Sequence, residues 1–391
     1  MNISAIFSLM MLLLTTLCSG YEWLYPVGSF IQDDHTKLYV IYQKSIDHLE
    51  LWLWDPESKI ATKALLSTHT PAALRQLPDA TGFSFIDAGR IRIKYADKRS
   101  AKTIDIYEPI YDINPLTWQN SHQCYFSARR LDLFEIFMSC THGHLISLAQ
   151  QATSDCMYPT IINDSLFYIK RYLNDDTYHY SLVQSSCTQF DCPYELPEEE
   201  KIAFLNSKKS VVSNNKERSL VEWGTDPIAF LHMINERCGF FIKHPALIDK
   251  HDPLLACSYY QIHQDGEKWN TKKLFDFALP TYILFDNELR LYESMLPLIP
   301  LYNANHIYYL NAQSENVPLR LYDYNLITNC STELSHNNHI DESVVGPLIS
   351  KKMLYYGGVV SDEQTNQHHP KPVMWIQDDA ICFDLPVLPI S

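Results

Sequence analysis

The sequence is short of positive charge: 31 Lys and Arg stand against 46 Asp and Glu, a formal net charge of −15. Binding to a polyanion is driven by clustered cations, so a broad nucleic-acid surface is excluded and no nucleic-acid partner is expected. One stretch, "NSKKSVVSNNKER" at 206–218, is locally basic and reads as a solvated loop. Beyond the first twenty residues no apolar run approaches the ~20 residues that a membrane-spanning helix needs, so no membrane span is expected in the mature chain. CxxC is missing, and no second cysteine pair stands at zinc-finger distance, which removes the usual thiolate metal sites. Also missing is G-x-S-x-G, the strand–turn–helix elbow that exposes a nucleophilic serine; "GFSFI" (82–86) lacks its second glycine. Helical periodicity is scarce, with "IAFLNSKK" and "LFDFALP" making single turns at most.

The first twenty residues, "MNISAIFSLMMLLLTTLCSG", contain an uncharged run from Ile6 to Leu17 that is too short to span hydrocarbon as a helix. Cys18 and Gly20 fit the small-residue positions before a signal-peptidase cut, so 1–20 reads as a cleaved signal peptide. Removing it leaves Cys124, Cys140, Cys156, Cys187, Cys192, Cys238, Cys257, Cys330 and Cys382, an odd set. Cys187 and Cys192, in "SSCTQFDCPYE", are close enough for a local disulfide in an exported protein.

What is present is a spaced repeat. Short apolar segments open at Pro26, Pro71, Pro115, Pro159, Pro227, Pro297 and Pro347, with steps of 45, 44, 44, 68, 70 and 50 residues. After each comes a turn and then an aromatic-rich run: "KLYVIYQ" (37–43), "TGFSFID" (81–87), "QCYFSAR" (123–129), "SLFYIKR" (165–171), "CGFFIKH" (238–244), "HIYYLNA" (306–312) and "MLYYGGV" (353–359). Third runs follow at 49–55, 102–108, 133–139, 178–184, 257–263, 319–325 and 372–378, and a fourth in several, such as "HLISLAQ" (144–150). Alternating Tyr, Trp, Ile and Val suits a half-buried pleated face. Proline at the start of a unit costs no ladder bond there. Three or four strands in tandem units of ~45 residues are the mark of a β-propeller. The direct count is seven blades, or six if one start is not a blade, in a single domain over 21–391. The two long steps place insertions near 186–222 and 244–256, with 264–282 as a further stretch, and adjacent insertions would form one docking surface.

With those units in view, "PVGSFIQDDHTKLYVIY…LELWLWDPESK" and "PLTWQNSHQCYFSARRLDLFEIFMSCTHGHLISL" resemble the WD40-like repeat of the Tol-system propeller family. The resemblance implies a periplasmic propeller. The chain departs from that pattern in its turns, none of which keeps Pro-Asp-Gly-Lys; "DDHTK" (33–37) and "PDATG" (78–82) come nearest. Nor is the family's N-terminal α/β domain matched, since repeats begin by residue 26.

Catalysis has few footholds. Propellers also gate prolyl-oligopeptidase-type peptidases, but these need the missing serine elbow. Glycoside hydrolysis needs two or three converging carboxylates, and Asp55, Asp87, Asp132 and Asp323 sit at strand ends, where acids most often cap turns. His142 with His144, and His336 with His339 and Asp341, could each join a metal site only with a ligand from another blade. Asn163 and Asn329 open N-x-S sequences. The aromatics, 25 Tyr, 17 Phe and 7 Trp, are read as packing between blades. No cofactor, metal or catalytic residue is assigned. The expectation is an exported, periplasmic or secreted, non-enzymatic scaffold that binds a protein or a cell-envelope component. The alternative is a carbohydrate-active propeller enzyme using funnel carboxylates.

Overall fold

The computed structural model describes residues 23–32, 35–45, 48–58, 60–67, 72–77, 82–87, 90–95, 102–104, 117–118, 123–130, 132–140, 145–149, 153–163, 165–186, 217–245, 254–280, 300–312, 319–334, 343–350, 353–360 and 371–376. Among them every regular element is a strand, and every pairing is between antiparallel neighbours. The chain divides into two compact units, residues 72–293 and residues 1–71 with 294–391.

The first unit holds four sheets, each a four-stranded meander. They are β5 (Ala72–Gln76) to β8 (Lys102–Ile104), with β6 (Gly82–Asp87) and β7 (Arg90–Tyr95) between; and β9 (Thr117–Trp118), β10 (Gln123–Arg130), β11 (Leu133–Cys140) and β12 (Leu145–Ala149). Next come β13 (Ser154–Ile162), β14 (Ser165–Asn174), β15 (Thr177–Ser186) and β16 (Arg218–Gly224), then β17 (Ile228–Asn235), β18 (Cys238–Lys243), β19 (Leu254–Asp265) and β20 (Lys268–Pro280). From the β9–β12 sheet onward, successive sheets pack face to face. Ile136 and Ala149 meet Cys156, Leu166, Tyr168 and Val183 at one interface. At the next, Phe167, Ile169, Leu182 and Trp223 meet Ile228, Leu231, Phe241 and Ile262. Sequential four-stranded sheets stacked through both faces are the blades of a β-propeller.

The second unit holds a fifth four-stranded sheet, β21 (Leu301–Asn303), β22 (His306–Asn311), β23 (Arg320–Asn325) and β24 (Cys330–Glu333). Its other strands form one seven-stranded sheet: β1 (Trp23–Gln32), β2 (His35–Ser45), β3 (His48–Asp55) and β4 (Ile60–Ser67), with β25 (Ser343–Ser350), β26 (Met353–Val360) and β27 (Lys371–Ile376). A single register pair, Leu24 opposite Gly358, joins the two groups. Beside it Leu38, Val40 and Trp54 pack against Tyr355 and Leu348.

Burial on both faces explains the composition of the inner strands. Leu166, Phe167, Tyr168 and Ile169 are all at most 1% exposed, whereas the sequence pattern suggested strands with one wet face. A sheet covered on both sides needs a continuous apolar run. The proline rhythm also acquires a cause. β1, β13 and β25 each carry a register shift at Pro26–Gly28, Met157–Thr160 and Val345–Leu348, the places of Pro26, Pro159 and Pro347. A residue without an N–H is tolerated in a sheet at such a bulge. In β13 the bulge places Tyr158 at φ 54°, a conformation rarely adopted by a bulky residue.

All seven second runs fall on the second strand of a meander, and Phe167, Tyr308 and Tyr355 occupy that strand in three of them. One third run does not fit. Residues 102–104 form the fourth strand, β8, and the third is β7, "RIRIKY". Nor is 264–282 an insertion: its described part belongs to the hairpin of β19 and β20, which turns at Gly266 with φ 60°.

Candidate interaction surface

The sheet β13–β16 has two ends of different character. At one end β13 turns into β14 through Asn163, exposed and at φ 52°. Its side-chain amide donates to Glu236 Oε1 at 3.1 Å, in the turn from β17 to β18 of the next sheet. The two turns therefore stand side by side. Ser186 closes β15 at this same end, opposite Ser165, and Arg218 opens β16 there, opposite Gln184. Residues 187–217 thus leave and re-enter the sheet between its third and fourth strands. Glu217 anchors the return: it accepts the Tyr168 hydroxyl at 2.5 Å and faces Lys170 Nζ at 3.4 Å. Burial first, then the neighbouring Cys156 and Glu217, push the Tyr168 hydroxyl above its ordinary range, so it stays a donor.

At the other end the β14–β15 hairpin projects. Asn174 pairs with Thr177 across a two-residue turn in which Asp175 and Asp176 both have positive φ, 48° and 61°. That geometry matches the right-handed twist of the flanking strands. One step inward Leu173 lies opposite Tyr178, and both are exposed, 56% and 47%. The Arg171 guanidinium sits 4.6 Å from the Tyr178 ring centroid. On the opposite face Tyr172 stacks on His179 at 5.7 Å.

The other long connection, 244–253, runs from Lys243, opposite Ile228, to Leu254, opposite Pro280. Lys243 lies at the far end of its sheet from the Glu236 turn, hence at the end where the β14–β15 hairpin projects. The expectation that both insertions build one surface is corrected: their anchoring strand ends are at opposite ends of adjoining sheets. Their limits shift too, since 218–222 belongs to β16 and 254–256 to β19.

The carboxylates flagged in the sequence lie in four different sheets. Asp55 closes β3, where it accepts from Lys37 Nζ at 2.8 Å and from the N–H groups of Glu57 and Ser58. Burial would raise its pKa, but those donors outweigh it and hold the carboxyl well below the usual range. Asp87 ends β6 opposite Arg90. Asp132 is exposed in the β10–β11 turn. Asp323 in β23 receives His306 Nδ1, 2.9 Å from each carboxylate oxygen, and His306 stacks on Tyr308 at 6.2 Å. The sequence singled out Asp323 but not its histidine, which sits two residues from Tyr308 on the neighbouring strand; that i, i+2 spacing was the available signal. Asn329 lies exposed in the β23–β24 turn at φ 54°.

His142, His144, His336, His339, Asp341, Cys187 and Cys192 lie outside the described residues, as does the segment 1–20. Among the described residues no three His, Cys, Asp or Glu side chains are arranged to hold a metal ion, and no helix is long and apolar enough to cross a membrane.

No protein-family model matches the chain, and no curated protein does. Among solved structures it is similar to TolB from Acinetobacter baumannii, at 10% identity and TM-score 0.41, over 74% of this chain and 60% of that one. It is similar also to a prolyl endopeptidase, at 10% identity and TM-score 0.46, over 88% of this chain and 47% of that one. A third is an oligogalacturonate lyase in complex with manganese, at 9% identity and TM-score 0.49, over 92% of this chain and 97% of that one. The chain thus spans less than two thirds of the first two. The likeness to TolB structures is one of fold.

Proposed function

We propose that this chain is an exported, non-enzymatic β-propeller acting as a protein-binding scaffold in the cell envelope or outside the cell. In this reading 1–20 is a removed leader, 21–391 is one propeller domain, and its location is periplasmic or secreted. The blade count is seven, with β1–β4 and β25–β27 as separate blades. Their single-residue junction at Leu24–Gly358 and the burial of Trp54 and Tyr355 in one cluster support that count.

The observation that carries the reading is the connection from β15 to β16. Third and fourth strands are joined elsewhere by 56–59, 96–101, 141–144, 266–267 and 326–329, but here by 187–217. Long connections inside compact domains are commonly functional, and this one is stitched back by Glu217 to Tyr168 and Lys170. Meanwhile Asp55, Asp155 and Asp323 are engaged by Lys37, Arg171 and His306, which suits structural roles better than acid–base chemistry.

Replacing 188–216 with a short linker while keeping Glu217 tests the assignment. The sheet is expected to fold, and recovery of envelope proteins on the immobilised chain to be lost. Unchanged recovery by a well-folded deletion refutes it. Export further implies a Cys187–Cys192 bridge, which peptide mapping without reduction would reveal; two free thiols there would remove it.

A further inference from the structure

The β14–β15 hairpin end exposes more apolar surface than the fold uses. Leu173 and Tyr178 form a directly opposed cross-strand pair, yet lie beyond the buried part of both strands, 56% and 47% exposed. Two large apolar groups held in water at a hairpin tip are a solubility cost. The tip is also held rigidly. Its two-residue turn fixes the register, and Arg171 lies against the Tyr178 ring while bonded through Nε and Nη2 to Asp155 Oδ2, both at 2.8 Å. A tyrosine fixed in advance loses little freedom on binding, and Tyr and Arg are enriched among residues that dominate interfaces.

The exposed charge at the turn is acidic. Asp175 and Asp176 are exposed at the turn itself. The β10–β11 turn of the neighbouring sheet lies at the same end, as the bond from Phe134 N to Asp155 Oδ1 at 2.9 Å shows, and Asp132 in it is exposed. Of the described cations at this end, Arg171 is engaged by Asp155, Arg130 by Glu135 at 3.3 Å and Lys243 by Asp226 at 2.8 Å, while Arg129 lies over the Phe134 ring.

We propose that the β14–β15 hairpin end is a docking surface for a cationic peptide segment, whose one large apolar side chain seats on Leu173 and Tyr178 while flanking Lys or Arg residues meet Asp175 and Asp176. The inference shares with the scaffold reading only the class of partner. Its place, at the opposite end of the sheet from Ser186 and Arg218, is independent. A contact of this size is weak and transient, and its association weakens as salt rises.

The test is fluorescence anisotropy with the full mature chain and three labelled short peptides: one with Phe flanked by Lys and Arg, its Glu-flanked counterpart, and a Lys–Ser peptide without the Phe. The first is expected to bind, more weakly at physiological than at low ionic strength, and the other two at least ~10-fold more weakly. Leu173→Thr should lower its affinity roughly tenfold, the scale of a central contact residue. Asp175→Asn with Asp176→Asn should remove most of the salt dependence, and Asn tolerates the positive φ that the turn requires. Urea midpoints of both variants serve as the folding control, and either variant alone decides the matter if the other fails to fold. Three results overturn the proposal: no binding of the first peptide, equal binding of the Glu-flanked peptide, or affinity unchanged by the variants. A fourth is self-association on sedimentation that Leu173→Thr dissolves, which would assign the surface to a second copy of the chain. The 188–216 replacement leaves this hairpin untouched, so it should still bind the peptide even if the scaffold assignment to 187–217 fails.

Discussion

Arg171 on β14 and Asp155 on β13 form an ion pair at 2.8 Å, with side chains 9% and 6% exposed. Asp155 Oδ1 also accepts the backbone N–H of Phe134 from the preceding sheet at 2.9 Å, so a charged pair inside one blade also fastens it to its neighbour. Removing one partner of a buried pair leaves the other charge uncompensated, at about 3–5 kcal/mol. Asp155→Ala is therefore expected to lower the urea midpoint sharply. Asp155→Leu with Arg171→Met should recover most of the loss, since apolar replacement of both partners is often neutral. A double variant no better than the single one would show that the bond to Phe134 is the larger part.

Asp55 should make stability depend on acid. Its folded-state pKa is depressed, so its contribution is fully present above the unfolded value, ~3.9, and drains away as pH falls toward the lower folded value. Below about pH 4 the wild-type chain should lose stability more steeply than Asp55→Asn, which should be weaker at neutral pH and flatter in acid. Parallel acid limbs for the two proteins would contradict this.

Gly239 on β18 has no room for a side chain. A Cβ there would lie 2.5 Å from Met233 Sδ and 2.8 Å from the His232 carbonyl oxygen. The sulfur can swing away; the carbonyl is part of the paired strand β17. Gly239→Ala should destabilise by about 1–3 kcal/mol, the usual range for overpacking, and chemical denaturation measures it directly.

The described thiols should differ in reactivity. Burial pushes Cys257 up to about 12, and burial, with Glu217 as the next cause, pushes Cys156 higher still. Cys330 is exposed on β24. Since the thiolate is the reactive form, brief alkylation of native protein near pH 8 should label Cys330 and spare Cys156 and Cys257. Peptide mass mapping that finds Cys156 labelled without unfolding would refute the packing described at that interface.

Much of this architecture was legible because the repeat is written in residues whose backbone roles are narrow. Proline marks three of the first strands, β1, β13 and β25, since a bulge there tolerates its missing N–H. The aromatic runs mark the second strands since these are covered on both faces. The third strand β7 escaped notice because "RIRIKY" alternates Arg90, Arg92 and Lys94 with the buried Ile91 and Ile93, so its average polarity hides its alternation. Pairings such as Asp155 with Arg171, or Asn163 with Glu236, depend on which sheets adjoin and on strand direction, and neither is encoded locally. For the same reason the two insertions looked like one surface: their order along the chain was plain, but the end of the sheet from which each departs follows only from counting strand reversals.

The junction of Leu24 with Gly358 has a consequence for the timing of synthesis. Strands β1–β4 leave the ribosome well before Leu348 and Tyr355, the residues of β25 and β26 against which Leu38, Val40 and Trp54 pack. Until those arrive, Leu38, Val40 and Trp54 lack the residues that bury them in the finished fold. A contact that closes so late is slow to form, and an uncovered strand face is a site for mispairing with other nascent chains. A face of this kind is a natural substrate for holdase chaperones during synthesis, and truncation before β25 should convert a folding protein into an aggregating one.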